Sequence, residues 1–228
     1  MYDWLLSFLL NFKRLFVIIL LLTFPTMVMK VQSQGNVIVH ALIQGYYIGG
    51  GSMTPALHNQ LAGGVNDVDW VTVQAHQVGN FGNPIAQFNA VIDRNGIANG
   101  NLNLLPGSYY FSIHSRNALR VCTAYPIAWG GFLNLDFADP NNVYSSIYNL
   151  YDAGGGNFCL YSGDVNDDGY IDTSDVTFVD NDNLDGKFYD VNPPILGTDV
   201  NGDGYVDTAD VTITDNNNLN GIQGIYPP

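Results

Sequence analysis

Between residues 36 and 160, apolar and polar positions alternate in short runs broken by turn-forming residues. A period of two predicts strands rather than helices. Val37, Val39, Ala41 and Ile43 interleave with Ile38, His40, Leu42 and Gln44, so the first strand has both faces partly buried. Further strands are expected over residues 70–73, 85–92, 97–104, 109–114, 119–125 and 132–137. Asp93-Arg94-Asn95-Gly96 reads as the turn of a hairpin joining the second and third of these. Strands at this spacing predict an antiparallel β-sandwich over residues 34–161, Ig-like or transthyretin-like in class. Residues 139–156, rich in Asn, Tyr, Ser and Gly, read as a long surface connection.

The two ends depart from this pattern. Lys13 and Arg14 precede an apolar run over residues 15–24, and small or polar residues follow. That order predicts a secretory signal peptide over residues 1–33, cleaved after Val31-Gln32-Ser33. An uncleaved N-terminal anchor is the alternative, although the apolar run is short for a membrane span. Near Tyr161 the composition shifts to Asp, Asn and Gly, which places a domain boundary there and a second module over residues 162–228.

Two acidic loops of twelve residues, 35 positions apart, dominate that module. The first carries Asp164, Asn166, Asp168, Tyr170, Asp172 and Asp175; the second carries Asp199, Asn201, Asp203, Tyr205, Asp207 and Asp210. Oxygen side chains recur at loop positions 1, 3, 5, 9 and 12, with Gly169 or Gly204 at position 6. This is the EF-hand order of calcium ligands, with Asp closing the loop in place of Glu. Tyr170 and Tyr205 contribute their backbone carbonyls, and the other ten residues their side chains. Ile171 and Val206 are expected to point inward. Two Ca²⁺ ions are therefore the expected cofactors, and residues 162–224 are expected to be largely disordered without them. Calcium that only braces a small fold is the alternative. The stretches after each loop, Asn/Asp-rich and short of helix formers, predict helices of one or two turns.

Charge narrows the partners. The chain has a formal net charge of −14, and every acidic side chain is Asp. Beyond the leader, only Arg94, Arg116, Arg120 and Lys187 are strongly basic, which excludes nucleic acid and anionic membrane as partners. Cys122 and Cys159 are the only cysteines; an even count in a secreted chain predicts a disulfide, two buried free thiols being the alternative.

No catalytic constellation is visible. Asp67 and Asp69 beside Trp70 are the one suggestive carboxylate pair, and a solvated turn accounts for them better. His40, His58, His76 and His114 lack metal-ligand spacing. Tyr46, Tyr47, Trp70, Tyr109, Tyr110, Tyr125 and Trp129 are candidates for a carbohydrate platform; alternation allows at most one of Tyr109 and Tyr110 to be exposed.

Pro106-Gly107-Ser108-Tyr109 resembles the turn before a late core strand in transthyretin-like and Cna-B-like sandwiches. Residues 162–224, with Gly163-Asp164-Val165-Asn166 and Asp168-Gly169-Tyr170-Ile171, resemble a type I dockerin module of a secreted bacterial protein. That resemblance implies two loop-helix units in approximate twofold symmetry around two Ca²⁺ ions. It also implies docking on a cohesin through Thr173-Ser174 and Thr208-Ala209, although the basic residues that accompany that pattern are absent.

The expected role is a non-catalytic, secreted or cell-surface protein with a structural or adhesive function. Its partner is a second copy of itself or another extracellular protein domain. The alternative is a carbohydrate-binding or scaffold-docking component of an extracellular polysaccharide-degrading system, with polysaccharide as a further partner.

Overall fold

The computed structural model describes residues 31–188 and 197–228; residues 1–30 of the expected leader lie outside the described residues. The chain is mainly β. A three-stranded sheet has the order β10-β1-β6, from β1 (Ser33–His40), β6 (Ile97–Leu104) and β10 (Phe132–Asp136). The other sheet has the order β5-β4-β7-β8, from β4 (Asp67–Gln77), β5 (Asn80–Asp93), β7 (Ser108–Ser115) and β8 (Ala118–Cys122). Short β9 (Ile127–Ala128) pairs with the start of β7. All pairings are antiparallel except β1 with β10, which run parallel. Two hairpins complete the β structure: β2 (Tyr47–Gly49) with β3 (Ser52–Met53), and β11 (Leu150–Asp152) with β12 (Phe158–Leu160).

Alternation decides which side chains meet. Val37 and Val39 of β1, Leu102 and Leu104 of β6, and Leu133 and Leu135 of β10 face Val71, Val73, Phe111, Ile113 and Val121 in one apolar core. That core is what makes the two sheets a β-sandwich. Tyr109 is buried and its neighbour Tyr110 only partly so, as the period of two requires.

Among the described residues four short α-helices accompany the strands: α1 (Ala56–Asn59), α2 (Ser146–Asn149), α3 (Thr173–Leu184) and α4 (Thr208–Leu219). Helices α3 and α4 are each 12 residues long, about three turns where one or two were expected. Capping boxes explain the extra length. Asp172 and Asp175 exchange side-chain and backbone hydrogen bonds at the start of α3, and Asp207 and Asp210 do so at α4. Bonds from Asn183 to Asp180 and from Asn218 to Asp215 then hold polar side chains along the helix surface, away from the backbone.

The expected hairpin at Asp93 is instead a crossover between sheets. The Asp93 carboxylate accepts from the N–H groups of Asn95 and Ile97, both at 2.9 Å, turning the chain so that β6 pairs with β1 and not with β5. The connection over residues 139–156 is also more ordered than expected. It contains α2 and β11, and Asn149 is fully buried, its amide donating to the Tyr144 and Ile225 carbonyls.

The expected disulfide is not formed: Cys122 and Cys159 are buried free thiols. Register gives the reason. Cys122 lies in the row Gln74–Ser112–Cys122, on the outer face of the larger sheet, whereas Cys159 belongs to the sandwich core. Burial pushes both thiols up to about 12.

Candidate functional site: two acidic loops anchored on the sandwich

Residues 32–228 form one compact unit, and the acidic loops are built into it. Each loop folds by the same local rules. Asp164 accepts from the N–H groups of Asp168 and Gly169, both at 3.1 Å; Asp199 accepts from Gly202 and Gly204 at 2.8 and 3.0 Å. Asn166 and Asn201 accept from the N–H two residues on, and Asp168 and Asp203 do the same. Asp175 reaches back to the N–H groups of Val165, Asn166 and Asp172, as Asp210 does to Val200, Asn201 and Asp207. Gly169 and Gly204 carry φ of +85° and +97°, a bend that side chains adopt only at a cost.

The two units clasp each other reciprocally. Ile171 N–H donates to Ile222 at 2.9 Å and Gly224 N–H to Gly169 at 2.8 Å, so the first loop pairs with the segment after α4. Val206 N–H donates to Lys187 at 2.8 Å, pairing the second loop with the segment after α3. Ile171 and Val206 are buried as expected, and Val206 packs with Val179 and Val200 in a second small core.

The sandwich engages the two loops differently. At the first, Asp167 lies 3.1 Å from His114 and 3.6 Å from Arg120, both on the outer face of the larger sheet. Tyr226, near the C-terminus, stacks on Phe81, which stacks on buried His76. At the second, Asp199 itself enters a buried polar network. Gln60 donates to it at 2.5 Å and accepts from Arg116 at 3.1 Å. Arg116 also donates to both oxygens of Asp69, at 3.0 and 3.1 Å, and Tyr46 donates its hydroxyl to Asp69. Asn117 joins the network to the Asp199 carbonyl. Gly202 sits so close that a Cβ there would lie 2.5 Å from that of Ala56.

Asp69 is therefore not in a solvated turn with Asp67: it is wholly buried and paired. Nothing in the local sequence marks it, because its partners Tyr46, Gln60 and Arg116 come from three distant segments. Burial raises its carboxyl above the usual range, against the opposing pull of Arg116. In the loops, burial first, and then Asp175, Asp167 and Asp168 nearby, push Asp164 up to about 7. Burial likewise raises Asp210 to about 6.

Of the expected carbohydrate platform, Tyr46, Tyr109 and Trp129 are buried, while Trp70 and Tyr125 are exposed. Among the described residues, no group of three or more His, Cys, Asp or Glu side chains is arranged to hold a metal ion. No helix among the described residues is long and apolar enough to cross a membrane.

No family model matches this chain, and no curated protein does. Among solved structures it is similar to a chain of an N-terminal interface mutant of a type II cohesin–X-dockerin complex from Acetivibrio cellulolyticus. The identity is 17%, covering 82% of this chain and 94% of that chain, with a TM-score of 0.41. The resemblance of residues 162–224 to a type I dockerin is corrected on the geometry of the chain itself. No family model supports it, the described residues are mainly β with four short α-helices, and among them the acidic side chains form no metal-holding group. Their oxygens are instead taken up by loop and helix-cap N–H groups.

Proposed function

We propose that this chain is a non-catalytic docking component of an extracellular assembly and that it binds another extracellular protein domain. The observation that carries this reading is a rigidly held loop-helix pair with aromatic groups left in water. The loop-helix pair is locked to the sandwich through Asp199, Gln60 and Arg116, yet Tyr170, Phe178, Phe188 and Tyr205 remain more than half exposed. Exposed aromatics on a preorganised support are the usual anchors of protein interfaces. A purely structural role offers no reason for that exposure.

Although the acidic side chains of the loops are not gathered around a metal position here but are held by loop N–H groups, we further propose that they turn from those groups to take one Ca²⁺ ion per loop. The donor set is all oxygen: Asp164, Asn166, Asp168, Asp172, Asp175 and the Tyr170 carbonyl, with their counterparts in the second loop. Burial first, and then the neighbouring carboxylates, raise Asp164, and a bound cation would offset both. The ion would supply rigidity and charge neutralisation, while the aromatic groups supply contact.

The test is affinity capture of proteins from the extracellular fraction on the immobilised chain, against a Phe178→Asp/Tyr205→Asp variant, with light scattering of the free chain in calcium and in chelator. A partner held by the wild type and lost by the variant supports docking. Equal retention by both defeats it, and a calcium-dependent rise in the mass of the chain alone assigns the face to self-association.

A further inference from the structure

A second candidate is built around Asp136, at the end of β10. Strand β10 ends the three-stranded sheet, with β1 as its sole partner there. A cleft of about 180 Å³ lies between the end of β10 and residues 123–127, lined by Tyr125, Asn134, Asp136, Asn141 and Asn142. A second cleft, of about 270 Å³, adjoins it and shares Asp136, with His40, Asp139 and Asn157 around it.

Three features define what these clefts accept. First, Tyr125 is 76% exposed at the rim, a large ring area in water. Second, the side chains of Asn134 and Asn142 have no hydrogen-bond partner among the described residues, and each offers both a donor and an acceptor. Asn141 is fixed by Asp139, at 2.9 Å, and Asp136 by His40, at 2.9 Å, whereas Asn134 and Asn142 are exposed and free to turn toward a ligand. Third, no Lys or Arg lines either cleft, and two carboxylates do.

An anionic ligand is disfavoured by that charge, and the lining of the first cleft mixes amides with apolar Ile127 and Leu135, which suits a ligand with both polar and apolar faces. A neutral sugar satisfies all three conditions. The C–H face of a pyranose packs on an aromatic ring, while its hydroxyls donate and accept at the rim. Each cleft is smaller than the ~300 Å³ typical of a drug-sized site and suits one or two sugar rings. Two clefts that share Asp136 offer room for more than one ring. We propose that these clefts form a binding site for a neutral oligosaccharide, with Tyr125 as the stacking platform and Asn134, Asp136 and Asn142 as hydrogen-bonding groups. The site shares no residue with the aromatic docking face, and it stands or falls independently of that function.

The experiment is calorimetric and NMR titration of the full chain with cellohexaose, xylohexaose, mannohexaose and laminarihexaose. It is repeated with Tyr125→Ala and Asn134→Ala, whose folding is checked by near-UV circular dichroism. At least one hexasaccharide is expected to bind and to shift the Tyr125 ring resonances. Tyr125→Ala is expected to weaken it roughly tenfold or more, and Asn134→Ala by about fivefold. If none of the four binds at about 10 mM, a concentration that detects even millimolar affinity, the proposal is overturned. It is equally overturned if a hexasaccharide binds and folded Tyr125→Ala keeps full affinity, since the sugar then sits elsewhere.

Discussion

The Asp69–Arg116 pair is the sharpest point at which to test how the acidic tail is held. Asp69 is fully buried and takes two hydrogen bonds from Arg116, one from the Tyr46 hydroxyl and one from the Trp70 N–H at 2.8 Å. Asp69→Ala removes the carboxylate and leaves a largely buried guanidinium without its main counter-charge, with Asp199 among its remaining neighbours. Breaking a buried pair in this way costs about 3–5 kcal/mol. Asp199 offsets part of that, so the lower end, about 3 kcal/mol, is expected. For a unit of this size it corresponds to a fall in Tm of roughly 6–12 °C.

The assay is urea unfolding at neutral pH, followed by circular dichroism, for Asp69→Ala, Arg116→Met and the double variant Asp69→Ala/Arg116→Met. Apolar replacement of both partners removes the orphaned charge, so the double variant should be less destabilised than the sum of the singles by about 2 kcal/mol. Because Gln60 bridges Arg116 to Asp199, Asp69→Ala should also loosen the second loop, read as faster amide exchange at Gly202 and Gly204. A loss below about 1 kcal/mol for Asp69→Ala, or simple additivity in the double variant, would refute the argument that this network locks the tail to the sandwich.

Other consequences are equally open to measurement. His76 is buried and held down to about 4, chiefly by burial, while the unfolded chain titrates near 6.5. Below pH 6.5 the unfolded state binds a proton that the folded state refuses, so stability is full above that pH and falls by at most about 3 kcal/mol towards pH 4. A His76→Leu variant with an unchanged slope of stability between pH 6.5 and 4 would contradict this. Gly202→Ala places a Cβ against Ala56 at φ +74° and should cost about 2 kcal/mol, checked by thermal melting. In calcium titrations, Asp168→Ala should weaken the first loop strongly, while Asp167→Ala should leave affinity near wild type and lower Tm through lost contact with His114 and Arg120; equal effects on affinity would mean that the ligand register is wrong. A thiol reagent should find no reactive cysteine in the native chain and two after denaturation.

Much of this architecture was legible along the chain. The strands over residues 85–92, 97–104, 109–114 and 132–137 follow from alternation, because burying one face of a sheet imposes a period of two. The repeated loops were equally plain, since short Asp and Asn side chains bonding their own backbone leave a local signature that recurs 35 residues on. The length of α3 and α4 was misjudged from propensity because the capping boxes at Asp172 and Asp207 outweigh poor helix formers.

What only the tertiary structure decided is which distant pieces meet. Turn residues at Asp93 do not say whether β6 pairs with β5 or β1, and two cysteines in strands do not say which faces they occupy. The buried Asp69–Arg116–Gln60–Asp199 network and the clefts around Asp136 are assembled from segments far apart in sequence, where no spacing rule operates. Local hydrogen bonding and alternation are written into neighbouring residues; the pairing of buried charges and the shape of a cleft exist only once the sheets have closed.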